Sequence, residues 1–345
     1  MKAGLLKAPN RLDYESVGDP ALAPGDLLIR VKAATVCGTD IRIFRGRKTA
    51  GIRYPSILGH EFSGEVVDTG GHARFSCGDA VAVCPPIPCG HCAYCKRGYE
   101  NICRNQTAIG YEIDGAFAEY IRIPGHAVLA GNVCKLPAGL SWEKAALIEP
   151  LACVLNGQER IAVGVADRVV ILGCGPIGLL HVKLARLSGA ARIIVSEPSA
   201  ARRAAALAAG ADVAIDPAAE DLQALVARET DGLGADKVII AIGVPRLVND
   251  ALTLVRHRGA ISLFAGFTVG DRESLDVNAI HYREVVMTGS FGLDRFQFEK
   301  SLAMIASGHL EVESMLTHRF PLKDIGPAFQ TAERGDAIKV AIVND

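Results

Sequence analysis

The sequence predicts an α/β protein of two domains, one irregular and β-rich, the other a doubly wound parallel sheet. Three observations carry this reading. Short β-like runs broken by Gly and Pro extend to about Val133, strand and helix patterns alternate from Arg168 onward, and a Gly-rich turn joins the first strand of that alternation to its first helix. At 345 residues, half of them hydrophobic, the chain is long enough to build two cores.

In the first part, LLIRVKAA, GEVVD, DAVAV and FAEYIRIP read as strands, with little helical periodicity between them. From Arg168 the units are RVVILG then PIGLLHVKLARLSG, RIIVSE then SAARRAAALAAG, and DVAID then LQALVARE. KVIIAIG then LVNDALTLVRHRG follow, and the strands AISLFAG and EVVMTGS come last. Apolar β-branched runs alternating with helices are the pattern of a parallel sheet covered on both faces. Gly189, Gly210 and Gly259 suit the left-handed position that closes a helix. Near the end, FQFEKSLAMIASGHL reads as a helix and KVAIV as a closing strand. EVVMTGS reads as an edge strand able to pair with a second copy, which makes a homodimer or homotetramer the expected assembly.

A formal charge of −1 provides no field to attract nucleic acid or an anionic membrane, so neither is an expected partner. The opening MKAGLLKAPNRLDY lacks the apolar core of a secretory leader, and no apolar stretch approaches the ~18 residues that span a bilayer. A cytoplasmic location is expected, in which the ten cysteines are free thiols or metal ligands. Four of them stand in the register Cys89-x2-Cys92-x2-Cys95-x7-Cys103. Short loops let neighbouring sulfurs converge on one ion while being too cramped for disulfides between them, so a closed structural Zn²⁺ site is expected.

Gly173-Cys174-Gly175-Pro176-Ile177-Gly178 follows the strand VVIL and opens a helix with Pro176 in its first turn. Gly173 permits the tight turn, Gly175 lets backbone approach a pyrophosphate, and Gly178 lets the helix pack against the strand. Glu197, at the end of the next strand, is placed to accept hydrogen bonds from ribose hydroxyls and to repel a 2′-phosphate. NAD is therefore expected over NADP, although Arg202 and Arg203 nearby have the chemistry to hold that phosphate.

An open metal site needs other ligands. Cys37 in Val-Cys-Gly-Thr-Asp, His60 and Glu61 in Gly-His-Glu-x2-Gly, and Glu149 in Ile-Glu-Pro-Leu-Ala-Cys offer sulfur, imidazole and carboxylate, a normal first shell for a catalytic zinc. Singly each has a bland reading, as a small buried hydrophobe, a core histidine or a helix-surface charge. Beside a four-cysteine cluster and a nicotinamide fingerprint, the joint reading prevails.

On these motifs the chain resembles the zinc-containing medium-chain dehydrogenases of the sorbitol/polyol dehydrogenase-like branch. GHEFSGEVVDTGGHA fits their zinc signature, Cys89 to Cys103 their structural zinc lobe, and IEPLAC and GCGPIG follow in the expected order. The resemblance implies a GroES-like catalytic domain from residues 1–152 and 291–345, with the zinc lobe at about 84–105, around a Rossmann domain from residues 153–290. It implies catalytic zinc ligation by Cys37, His60 and Glu61, with Glu149 ligating the ion or its water, and Thr39 as the hydroxyl that accepts the alcohol proton. Ile177, Glu197, Arg202, Ala265, Gly266, Ser290 and Phe291 match its cofactor-contacting positions. The implied reaction transfers a hydride between a secondary alcohol (a polyol, sugar alcohol or diol) and NAD.

Arg42 stands where family members carry a relay histidine, and arginine stays protonated, so it shuttles no proton. Ile43 and Gly292-Leu293 replace groups expected of a strict hexitol enzyme. Alternatives are a threonine-type or sugar-phosphate dehydrogenase, or a non-catalytic NAD-binding scaffold.

Overall fold

A computed structural model describes residues 1–344 in two compact units, Met1–Ala152 with the chain from Gly292 onward, and Cys153–Phe291. No helix among the described residues is long and apolar enough to cross a membrane.

The first unit is built on a seven-stranded sheet. Its path runs Val133–Lys135, Ala80–Val83, Glu61–Asp68, Leu27–Thr35, Lys339–Val343, Leu316–Pro321, and Tyr120–Ile123 pairs off Leu27–Thr35. Leu27–Thr35 alternates buried and half-exposed positions through Leu27, Ile29 and Val31 before ending fully buried at Ala33–Thr35. Three strands meet at that buried end: Thr35 lies opposite Glu61 on one side and opposite Ala341 on the other. Phe117 and Phe44 pack edge-on against Phe329, with ring centroids 5.6 and 5.7 Å away, and tie the helix Ile325–Arg334 to this core. A hairpin of Lys2–Ala8 and Arg11–Ser16, with Ser56–Ile57 added, forms a second small sheet.

The second unit holds a six-stranded, wholly parallel sheet in the order Val213–Ile215, Arg192–Ser196, Arg168–Leu172, Ala235–Ile240, Val255–Leu263, Val286–Gly289. Counted along the chain this is third, second, first, fourth, fifth, sixth, the doubly wound order of dinucleotide-binding sheets. Val169–Leu172, Ile193–Val195 and Val238–Ile240 are buried on both faces, as the unbroken apolar runs require. Val286–Gly289 is an edge strand.

Gly189 and Gly210 adopt the left-handed conformation, with φ of 88° and 109° after their helices. Gly259 does not. The helix Leu247–Leu254 ends at Leu254, the chain passes straight into Val255–Leu263, and Gly259 sits in a bulge of that strand. Arg258, at φ 56°, takes the left-handed turn instead, and a Cβ on Gly259 would meet Val255 Cγ2 at 2.5 Å. Close packing, not a helix stop, requires that glycine.

Candidate functional site

The helix Gly38–Phe44 begins where Leu27–Thr35 runs out, and Cys37 caps it. The Thr39 amide donates to Cys37 Sγ at 3.4 Å, and the Cys37 amide donates to Asp40 Oδ2 at 2.9 Å, a reciprocal cap in which sulfur replaces the usual hydroxyl. His60 and Glu61 enter on the neighbouring strand, because the Thr35–Glu61 pairing puts the start of that strand beside the end of the first. One ligand atom from each of Cys37, His60 and Glu61 lies within 4.8 Å of the others.

The surrounding charges favour a cation at this point. His60 is 3% exposed, and its Nδ1 lies 3.4 Å from Asp40 Oδ1, close enough for charge but misaligned for a hydrogen bond. Burial opposes a charged ring, yet Tyr111, Asp40 and Cys37 together raise its pKa well above the usual histidine value. Glu61 is fully buried; Lys339 Nζ donates to its Oε1 at 2.8 Å, and the Thr35 hydroxyl donates to Oε2. Burial likewise works against charge on Lys339, and Glu61, Cys37 and Glu149 overcome it. Sulfur, imidazole and carboxylate, all held by second partners, form a donor set that fits zinc.

Glu149 lies in the first turn of Ile148–Arg160 and is 8% exposed. Among the described residues it is not one of the trio whose ligand atoms converge, although its charge reaches Lys339 and Tyr111. Thr39 is held on the first turn of the helix by its amide bond to the Cys37 sulfur. Asp40, Thr35, Lys339 and Tyr111 were not apparent from the sequence. Only Asp40 had a local signal, as the acid three residues after a capping position.

Cys89, Cys92, Cys95 and Cys103 also converge. Sγ–Sγ separations of 3.5 Å (Cys92–Cys95), 3.9 Å (Cys92–Cys103) and 4.0 Å (Cys89–Cys95) surround the ~3.8 Å edge of a tetrahedron with ~2.3 Å zinc–sulfur bonds. Backbone amides point at the sulfurs: Cys89 and Asn105 donate to Cys103 Sγ at 3.3 and 3.4 Å, and Cys92 donates to Cys89 Sγ at 3.4 Å. The amides of Cys95 and Arg104 lower the Cys92 thiol to about 6, while burial and its sulfur neighbours raise Cys95 to about 12. Clustered thiols resist full ionisation by themselves; a divalent ion removes that conflict.

In the second unit the predicted cofactor residues gather at the carboxyl ends of the parallel strands. Gly173 follows Arg168–Leu172, Glu197 follows Arg192–Ser196, Ala265 and Gly266 follow Val255–Leu263, and Ser290 and Phe291 follow Val286–Gly289. Gly173 has φ of 89°, and a Cβ on Gly178 would lie 2.2 Å from Gly173 O, so protein packing accounts for both. Gly175 differs. It caps the helix Pro176–Leu187, and a Cβ there would meet only Arg202 Nη1, at 3.9 Å. The space it leaves above a helix N-terminus is what a pyrophosphate requires. Ile177 lies in the first turn of that helix. Glu197 Oε2 accepts the Cys174 amide at 2.7 Å and Oε1 the Ser199 amide at 3.0 Å, so the acid also braces the loop.

Known proteins resemble the chain over nearly its whole length. Residues 23–137 match the family described as the alcohol dehydrogenase GroES-like domain, and residues 176–307 match the zinc-binding dehydrogenase family. The chain is 32% identical to L-galactonate-5-dehydrogenase of Escherichia coli (strain K12), over 96% of this chain and 94% of that protein. It is 36% identical to L-threonine 3-dehydrogenase of Pyrococcus furiosus, over 94% of this chain and 92% of that protein. A structure from Sinorhizobium meliloti 1021 with NADP bound superposes with a TM-score of 0.93 at 32% identity, covering 99% of both chains.

Proposed function

The chain belongs to the zinc-binding alcohol dehydrogenase family, and from that premise we propose that it oxidises a secondary alcohol of a polyol, sugar alcohol or diol, with NAD as hydride acceptor. The observation that carries this reading is the buried convergence of Cys37, His60 and Glu61. When bound, zinc supplies a Lewis acid that makes an alcohol hydroxyl more acidic, and the nicotinamide supplies an acceptor for the carbinol hydride.

The protein's residues do the rest. Cys37 and His60 hold the ion, with Glu61 or Glu149 as the further donor. Asp40 lies behind the His60 ring and raises its basicity through its charge, as a carboxylate behind a metal-binding histidine does. Thr39 Oγ1 accepts the alcohol proton. Arg42 passes no proton on, so water or another side chain carries it to solvent. Cys89, Cys92, Cys95 and Cys103 hold a second, structural zinc. The amides at the start of Pro176–Leu187 bind the pyrophosphate, with Gly175 giving access and Ile177 and Arg202 alongside, while Ala265, Gly266, Ser290 and Phe291 line the rest of the cofactor site. Glu197 favours NAD over NADP by its charge.

The unpaired edge Val286–Gly289, with Val286 56% exposed, supports self-association as a homodimer or homotetramer, which sedimentation velocity tests. The central test joins metal analysis to initial rates of NADH formation across secondary alcohols, diols, pentitols and hexitols. About two zinc ions per chain and turnover lost in Cys37→Ala and His60→Ala are expected; full activity in both variants refutes the assignment.

A further inference from the structure

Two cations beside the metal-type site have no carboxylate partner among the described residues. The ammonium of Lys48 lies 4.7 Å from the centroid of the Tyr111 ring, and that ring lies 5.3 Å from the His60 ring, so one aromatic side chain separates Lys48 from the imidazole. Lys48 is half-buried, and among the described residues its ammonium makes one hydrogen bond, a long one of 3.4 Å to Ala50 O. Arg42 is also half-buried, and its backbone carbonyl accepts the amides of Arg47 and Lys48, which folds the loop back onto the helix. The fields that act on Lys48 after burial are those of Glu112 and Arg42, one acidic and one basic, so the patch carries two positive charges to one negative. Half-buried like charges repel, and among the described residues no carboxylate forms an ion pair with either cation. Tyr111 gives Lys48 a seat through its π face but no counter-charge.

We propose that Lys48, assisted by Arg42, binds the anionic end, a carboxylate or a phosphate, of a polyhydroxylated substrate whose secondary alcohol lies at the Cys37–His60–Glu61 site. The proposal rests on the dehydrogenase reading above and names the substrate class for it. At about 1.5 Å per carbon–carbon bond, a four- to six-carbon chain spans the width of the intervening Tyr111 ring. Lys48 is a positioning residue: it fixes which hydroxyl of the chain reaches the site, and it draws anionic over neutral polyols.

The test is calorimetric binding and initial rates on the zinc-loaded, full-length enzyme with NAD. Its panel sets four- to six-carbon aldonates and alditol phosphates against the corresponding neutral alditols. Anionic members are expected to bind about tenfold or more tightly than their neutral partners, with the preference shrinking as salt is added. Lys48→Met and the double variant Arg42→Gln/Lys48→Met are expected to erase that preference, and Lys48→Arg to keep most of it. Preference for aldonates alone identifies a carboxylate, and for alditol phosphates alone a phosphate. The proposal is overturned if no anionic member binds better than its neutral partner, or if the double variant keeps the preference. Anion binding that disappears in the variants, with no NADH from any alcohol, leaves this subsite standing and removes the dehydrogenase reading instead.

Discussion

Lys339 Nζ lies 2.6 Å from Glu61 Oε2, and both side chains are almost wholly shielded from water, at 4% and 1% exposure. The pair spans the central sheet from Glu61–Asp68 to Lys339–Val343 across the Thr35 end of the strand between them. A carboxylate engaged by both an ammonium and a hydroxyl is less available to a metal than a free one. In the proposed zinc site, Lys339 therefore sets how strongly Glu61 donates.

Lys339→Met leaves the Glu61 carboxylate buried without its counter-charge, which costs about 3–5 kcal/mol. Chemical denaturation is expected to show that loss, and Glu61→Gln in the same chain to restore a good part of it. Stability equal to wild type in the single variant contradicts a charged pair. Zinc binding discriminates further, since freeing Glu61 is expected to tighten it.

Asp40 makes two contacts with different chemistry, accepting from the Cys37 amide through Oδ2 and facing His60 Nδ1 through Oδ1. Asp40→Asn keeps an amide acceptor for the helix cap while removing the charge behind the imidazole. The helix is expected to survive and zinc affinity to fall by about 10–100-fold, measured by competition with a chelator. Unchanged affinity assigns Asp40 to capping alone.

The convergence of Cys37, His60 and Glu61 was legible because their residue types are rare together and lie in compact motifs, and the Gly-rich turn because strand, turn and helix are contiguous. Lys339 was not legible: its partner Glu61 is 278 residues away, and only the pairing of three strands brings them together. The hairpin Lys2–Ala8 and Arg11–Ser16 also escaped notice, since it turns at Pro9 and Asn10, with Asn10 at φ 64°, in place of a recognisable Gly turn. Gly259 misled because a glycine after an apolar helical run suggests a stop, whereas crowding by the Val255 side chain and by the Arg256 and Asp236 carbonyls depends on a strand bulge and a neighbouring strand. Glu149 carries the right chemistry in a family motif, and sequence spacing does not reveal that Glu61 is the carboxylate whose ligand atom converges with those of Cys37 and His60.

Glu197 braces the Gly-rich turn and, in the proposed cofactor placement, presents a negative charge beside the adenosine ribose. Glu197→Gln retains an acceptor for one of the two amides and loses the repulsion of a 2′-phosphate, which Arg202 is then free to attract. The ratio of kcat/KM for NAD to that for NADP is expected to fall about tenfold or more. A ratio that stays at the wild-type value removes Glu197 from cofactor choice.

His181 provides a pH test inside the second unit. It is fully buried, its ring lies edge-on to Phe264 with centroids 4.5 Å apart, and Gln158 Nε2 lies 3.3 Å from its Nδ1. Burial lowers its pKa to about 3, against 6.5 in an unfolded chain. Between those values the unfolded chain takes up a proton that the folded chain refuses, so stability falls as pH drops below 6.5 and the contribution is flat above it. The slope is about 1.4 kcal/mol per pH unit for one such group. Because other groups titrate in the same range, the quantity to measure is the difference in unfolding free energy between wild type and His181→Gln from pH 8 down to about 5. That difference is expected to stay constant to near pH 6.5 and then to move in favour of the variant by about 1.4 kcal/mol per unit. A difference that stays constant across the whole range means that the folded protein accepts the proton, through water or through movement of Gln158, and that the ring is not held neutral.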